Sequence, residues 1–220
     1  MLNKKIIKKI EEEARKYFKG ASGCHDWSHV ERVRSLAIRI ARKEKADVPM
    51  VEAAALLHDI GRKEEMRKKG AVCHAEKGAR AARVILGRLG IEKETIDNIS
   101  HSILAHRYHN SHLVATAEAR SLFDADKLDS LGAIGVGRIF LFAGNAGSNT
   151  LYTGREKKIA RMKKDFSYSK EDSPVLEFEK KLRFIKDKMM TREGRKIARL
   201  RHGFMKDFFE RMWEEVRGQK

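Results

Sequence analysis

The chain has 220 residues, 41% of them hydrophobic, and a formal net charge of +17. That apolar share excludes a disordered chain, and only 2 cysteines exclude a disulfide scaffold. The excess of Lys and Arg favours polyanionic partners, nucleotides or nucleic acid, unless interleaved Glu turns these charges into solvated helix faces.

Only 2 prolines interrupt a composition rich in Ala, Glu, Lys, Arg, Ile and Leu, which favours helix over sheet. The first residues, MLNKKIIKKIEEEARKYF, lack the apolar core of a signal peptide. No run approaches the roughly 20 apolar residues of a membrane span. The expectation is a cytoplasmic protein with no membrane partner. Cys24 and Cys73 each precede a histidine (His25, His74), so a Cys/His metal site stands against two free thiols.

Residues 2–19 place Ile6, Ile7, Ile10, Ala14, Tyr17 and Phe18 on one helical stripe that ends at Gly20. Asp26 reads as the N-cap of a second helix, with Val30, Val33, Leu36, Ala37 and Ile40 inward. Pro49 marks the first turn of a third helix. That helix, VEAAALLHDI, is almost wholly apolar and therefore buried, and it stops at Gly61 with His58 and Asp59 in its last turn. Residues 62–72 read as a charged loop. Further helices are expected over 74–89, 92–107, 111–130, 132–137, 174–190 and 192–217, with a loop at 141–154. The expectation is an all-α chain with one compact domain over 1–220: a helical core over 1–140 and C-terminal helices over 155–220.

A carboxylate at the end of an apolar helix is costly to bury, and the negative end of the helix dipole disfavours it further. A divalent cation relieves both penalties at Asp59. His29 stands one helix upstream, and Asp124, Asp126 and Asp129 crowd an apolar segment downstream; Asp126 and Asp129 share a helix face. An N-cap or a surface pair is the competing account of those acids. Two imidazoles and two carboxylates form a borderline-hard set suited to Mn, Fe, Ni, Co, Zn or Mg.

The segments HDWSHVERV, ALLHDIGR and DADKLDSLGAIG, in this order, resemble the HD-domain phosphohydrolases. The similarity is to the small single-domain branch that includes bacterial dNTP pyrophosphohydrolases, and it continues through CHAEKGARAARVIL, ISHSILAH and MMTREGRKIARLRHGFM. The resemblance implies an all-α HD fold in which His29, His58, Asp59 and Asp126 hold one divalent metal. Members of this branch often carry a His-Phe pair where this chain has Glu177-Phe178. Asp59 is also a candidate for relaying a proton. Arg62, Lys63 and Lys127 are phosphate-facing candidates, with pairing to a surface acid as the competing account.

His74 and His101 are expected to line the pocket and contact phosphate; the alternative is a second metal, as in binuclear HD relatives. His106, His109 and His112 read as exposed polar residues of the YHNSH junction, His106 the most inward of them, and His25 as an equally ordinary residue. His202 is expected to satisfy a hydrogen bond in helix packing. The glycine-spaced GNAGSNT, flanked by Arg138 and Arg155, offers N–H groups to phosphate but lacks the order of a phosphate-binding loop.

These readings imply a phosphohydrolase acting on a nucleotide or phosphorylated metabolite, with nucleoside triphosphate pyrophosphohydrolysis as the specific form. A binuclear phosphodiesterase or a di-iron oxygenase is one alternative. A basic nucleic-acid-binding protein with a vestigial HD site is another, of a different class. The sequence leaves oligomeric state open.

Overall fold

The structure, a computed structural model, describes residues 2–21, 23–68, 71–107, 113–145, 147–148, 150–162 and 172–219. The described residues form helices and no strand, as the composition requires. Backbone contacts divide the chain into two compact units: residues 1–126 with 190–194, and residues 127–189 with 195–220.

In the first unit, α1 (Lys4–Tyr17) is capped by Asn3, whose side chain accepts from the N–H of Ile6. A 3-10 turn (Gly23–His25) leads to α2 (Trp27–Glu44), whose N-cap Asp26 accepts from the N–H of His29. The cap fixes where the helix starts and so sets the phase that turns His29, Val30 and Val33 inward. Lys45 ends α2 in the left-handed conformation (φ 58°), and the chain turns directly into α3 (Val48–Leu57).

α3 packs against α1, α2 and α6. Ala53, Ala54, Ala55, Leu56 and Leu57 are completely buried. Neighbours on every side explain why this sequence has almost no polar face. α5 (His74–Arg88) and α6 (Lys93–Ala105) form a helical hairpin, reversed at Gly90 (φ 71°) with Ile91 donating to the carbonyl of Leu86.

Residues 62–67, read as part of a charged loop, form the short helix α4 (Arg62–Arg67). Its cause is local and tertiary at once. Glu64 and Glu65 stand in the first turn, where the helix dipole favours acids, and Arg62 donates to Glu65 at 2.7 Å. Helix α7 (Ala117–Leu128) begins later than expected; residues 108–112, with His109 and His112, lie outside the described residues.

Asp124 and Asp129 have structural partners. In the first unit Asp124 accepts from the N–H groups of Met190 and Thr191 and from Thr191 Oγ1, at 2.9, 2.8 and 2.6 Å. It thereby anchors the start of α11 (Arg192–Val216). In the second unit Asp129 accepts from Arg138 at 2.8 Å. That unit also holds α8 (Gly132–Asn145), α9 (Glu156–Ile159), α10 (Pro174–Lys180), a 3-10 segment (Leu182–Lys188) and most of α11. The span expected as one helix over 174–190 is thus divided. α8 runs to Asn145, and the glycine-spaced stretch closes it: Ser148 donates to the carbonyl of Ala143 with Gly147 at φ 82°. Phe178 stacks on Phe209 at 4.4 Å and on His202 at 6.5 Å. His202 Nδ1 makes no hydrogen bond among the described residues.

One backbone contact joins the end of α3 to the start of α5. A Cβ on Gly61 would lie 2.3 Å from the carbonyl oxygen of His74 and 2.8 Å from the N–H nitrogen of Gly78. A Cβ on Gly61 therefore has no space, although the residue's φ is an ordinary −86°. Gly61→Ala is expected to destabilise the protein by about 1–3 kcal/mol through overpacking. Chemical denaturation checks this, with Gly87→Ala, where a Cβ meets nothing within 4 Å, as the control.

Candidate metal centre

Five elements of the first unit bring polar side chains to one buried point. α2 presents His29 from its first turn, just inside the Asp26 cap. The end of α3 presents His58 as its C-cap and Asp59 one residue on. α5 opens on His74, and His106 caps the C-terminus of α6. Asp126 comes from α7. His29, His58, Asp59, His74 and His106 are each at most 2% exposed.

The distances define two overlapping groups. His29 Nε2 lies 3.2 Å from His58 Nε2, 3.5 Å from Asp126 Oδ1 and 3.7 Å from Asp59 Oδ2. His58 Nε2 lies 3.8 Å from Asp59 Oδ2 and 4.0 Å from Asp126 Oδ1. On the other side, Asp59 Oδ1 lies 3.6 Å from His74 Nε2 and 3.7 Å from His106 Nε2, which are 3.2 Å apart. Asp59 thus turns one oxygen to each pair of imidazoles.

The imidazoles are oriented from behind. His58 Nδ1 donates to the carbonyl of Ala55 at 2.8 Å, and His106 Nδ1 to that of Ile103 at 2.5 Å. His74 Nδ1 lies 3.0 Å from Glu65 Oε2. With Nδ1 donating outward, His58 and His106 direct their Nε2 lone pairs at the centre, the arrangement of metal-binding histidines. Burial lowers the pKa of His58, His74 and His106, which keeps those lone pairs unprotonated at neutral pH.

Burial works against ionisation of Asp59, but the charge of the Arg62 guanidinium and the contact with His25 outweigh it. Its carboxyl is held well below the usual range. Glu65 is likewise brought down to about 2: burial raises it, while His74 and Arg62 lower it further.

The donor set fits a divalent cation on this structure's own evidence. Two triads, His29–His58–Asp126 and Asp59–His74–His106, each gather their ligand atoms within 4.8 Å. Asp59 Oδ1 is buried and makes no hydrogen bond among the described residues, although Arg62 Nη2 stands 3.3 Å away. Converging lone pairs around an unsatisfied carboxylate oxygen repel one another unless a cation lies between them.

The expected residues divide as follows. His29, His58, Asp59, His74 and Asp126 meet. Arg62 lies beside them, paired with the buried acids Asp59 and Glu65 rather than with the surface acid of the competing account. Lys63 is exposed and donates to the carbonyl of Lys19 at 3.0 Å. Lys127 follows Asp126 in the chain, is half-buried, and belongs to the second unit. His101 is not part of the cluster; its Nε2 accepts from the N–H of Ala115 at 3.4 Å. His106 stands there instead.

Helical phase accounts for that correction. Ile99, Ile103 and His106 follow i, i+4, i+7 on the buried face of α6, whereas His101 falls off that stripe. His25, expected to be an ordinary residue, and Glu65 also belong to the site. His25 Nδ1 lies 3.1 Å from Asp59 Oδ2, and His25 with His29 and Asp59 forms a third group able to hold a cation. Burial lowers the pKa of His25, but hydrogen bonds to Asp59 and Cys24 raise it overall.

Comparison with known proteins gives this geometry a family. The HD-domain family model matches residues 26–131, the stretch holding all the buried ligand candidates. The chain is 32% identical over 204 residues to the uncharacterized protein YpgQ of Bacillus subtilis (strain 168), covering 90% of this chain and 87% of YpgQ. The crystal structure of YpgQ in complex with ADP superposes with a TM-score of 0.72 at 29% identity, over 96% of this chain and 100% of that one. An HD-superfamily hydrolase from Bacillus thuringiensis superposes with a TM-score of 0.74 at 27% identity, over 98% of each chain. The chain belongs to the HD-domain superfamily and carries its hydrolase fold, with histidine and aspartate groups able to hold metal.

Proposed function

We propose that the chain is a divalent-metal-dependent phosphohydrolase acting on nucleotides, with His29, His58, Asp59 and Asp126 as the metal ligands. The observation that carries this reading is the buried Asp59 carboxylate, encircled by Nε2 atoms at 3.6–3.8 Å. The cation supplies Lewis acidity, which makes water nucleophilic near neutral pH and offsets charge on phosphoryl oxygens.

The remaining work falls to the chain's own side chains. Arg62 presents a guanidinium beside Asp59 and attracts a phosphate. Lys63 adds cationic charge, and the net charge of +17 favours anionic substrates at long range. Hydrolysis adds water across one P–O bond. The water oxygen bonds phosphorus, the bridging oxygen leaves with its electron pair, and the net proton passes to solvent. That YpgQ was crystallised with ADP supports a nucleotide substrate. Pyrophosphate release from nucleoside triphosphates is the specific form we favour.

A second reading has two ions, the second of which would be held by Asp59, His74 and His106. The unsatisfied Asp59 Oδ1 between those two histidines favours it. It replaces the phosphate-contacting role expected of His74 and keeps binuclear phosphodiesterase and di-iron oxygenase chemistry in view.

Release of phosphate and pyrophosphate from a nucleotide panel with Mn²⁺, Ni²⁺, Co²⁺ or Mg²⁺ tests the activity. Asp126→Ala is expected to lower turnover about 100-fold or more, since losing a ligand should exceed the roughly 10–100-fold cost of losing a ligand's supporting partner. Salt-sensitive binding to DNA or RNA with no metal-dependent turnover would instead favour a nucleic-acid-binding protein.

Metal content measured by mass spectrometry separates one ion from two. His58→Ala is expected to abolish retention of the first ion. His106→Ala should reduce a two-ion content to one and leave a one-ion content unaltered.

A further inference from the structure

We propose that a pocket beside Asp59 seats the nucleoside of the substrate, its base lying against Tyr17 and Met66. This inference rests on the phosphohydrolase reading above. The pocket has a volume of about 100 Å³ and lies where the end of α1 faces α4. Tyr17, Phe18 and Met66 form its apolar wall, and His25, Asp59 and Arg62 its polar end.

Phe18 is used in the core, packing edge-on to Trp27 at 5.5 Å and only 9% exposed. Tyr17 and Met66 are not: they are 39% and 59% exposed, although each lines the pocket. A large aromatic and a thioether left open to solvent beside an ionic centre mark a binding surface for a flat, polarisable group. The walls are tied together, since Lys63 Nζ donates to the carbonyl of Lys19 and so holds α4 to the turn after α1.

Size and polarity define the occupant. A site enclosing a whole drug-sized ligand measures roughly 300–1,000 Å³. A pocket of about 100 Å³ takes one ring system and leaves the rest of the ligand outside. With a divalent cation on the Asp59 side, its polar end, which Arg62 and Lys63 line, complements phosphate, and its apolar end complements a base. A nucleoside phosphate carries both. Stacking is tolerant of base identity because every base has a π-face, so the pocket distinguishes nucleotides from simple polyphosphates more than one base from another.

The order of groups also follows. Asp59 itself lines the pocket, so a base seated against Tyr17 and Met66 directs the sugar end of the nucleotide toward the metal ligands. The phosphate brought to Asp59 is then the one attached to the sugar.

The test compares the metal-loaded full-length protein with Tyr17→Ala and, because truncation alone is a mild change, with Ala21→Trp, which fills the pocket. Specificity constants are measured for ATP and for inorganic tripolyphosphate, which shares the anhydride but lacks the nucleoside. The ratio of the two constants is expected to fall about 10-fold in each variant, the scale of losing one base stack. Dissociation constants for ADP and for pyrophosphate are measured alongside by calorimetry, with ADP binding expected to weaken selectively. If neither compound is hydrolysed with any metal, the phosphohydrolase reading fails and calorimetry alone judges the pocket. Folded variants that leave both the specificity ratio and the ADP-to-pyrophosphate affinity ratio unaltered would overturn the proposal.

Discussion

The first unit is organised around a carboxylate that its surroundings keep charged. The Asp59 side chain is only 1% exposed, and burying such a charge costs several kcal/mol unless partners compensate it. The compensation comes from separate stretches of chain. Arg62 sits one turn away, His25 approaches from the segment before α2, and His29, His58, His74 and His106 close the circle. These partners require α3 to end here, buried among its neighbours, and α5 to begin in contact with it. That is why α3 is a run of Ala and Leu, and why glycines occupy positions 61 and 78, where the backbones touch.

The legible part of this design is the part written in short segments. His58 and Asp59 stand out because a charged pair ends an apolar helix, and His29 because an N-cap precedes it by three residues. Asp126 needed the motif, since Asp124 and Asp129 stand within three residues on the same apolar background. Their separation is tertiary: Asp124 receives N–H groups at the start of α11, and Asp129 receives Arg138, leaving only Asp126 toward the histidines. No local rule assigns those partners.

The illegible part depends on contacts between helices. Glu65 belongs to RKEEMRKKG, a pattern that normally describes a solvated face. Glu64 and Glu65 are equivalent in that pattern; only the approach of His74 and Arg62 makes one of them the supporting carboxylate. His106 was concealed differently, grouped with the histidines of a polar junction when it belonged to the buried stripe of α6. His25 lies outside any periodic element, so neither helical phase nor capping points to it.

Charge links the number of ions to the nature of the substrate. Around the centre three carboxylates, Asp59, Glu65 and Asp126, face two guanidiniums, Arg62 and, 3.6 Å from Glu65, Arg107. The formal excess of these groups is one negative charge. One divalent cation would reverse it to one positive charge, which attracts a phosphate with help from the wider +17 field. Two cations would leave three positive charges in a buried site, where an unpaired charge is costly and a phosphate dianion is its natural partner. Glu65 therefore bears on the ion count in two ways. On the two-ion reading, it would face His74 from behind at 3.0 Å and supply negative charge against which a second cation enters.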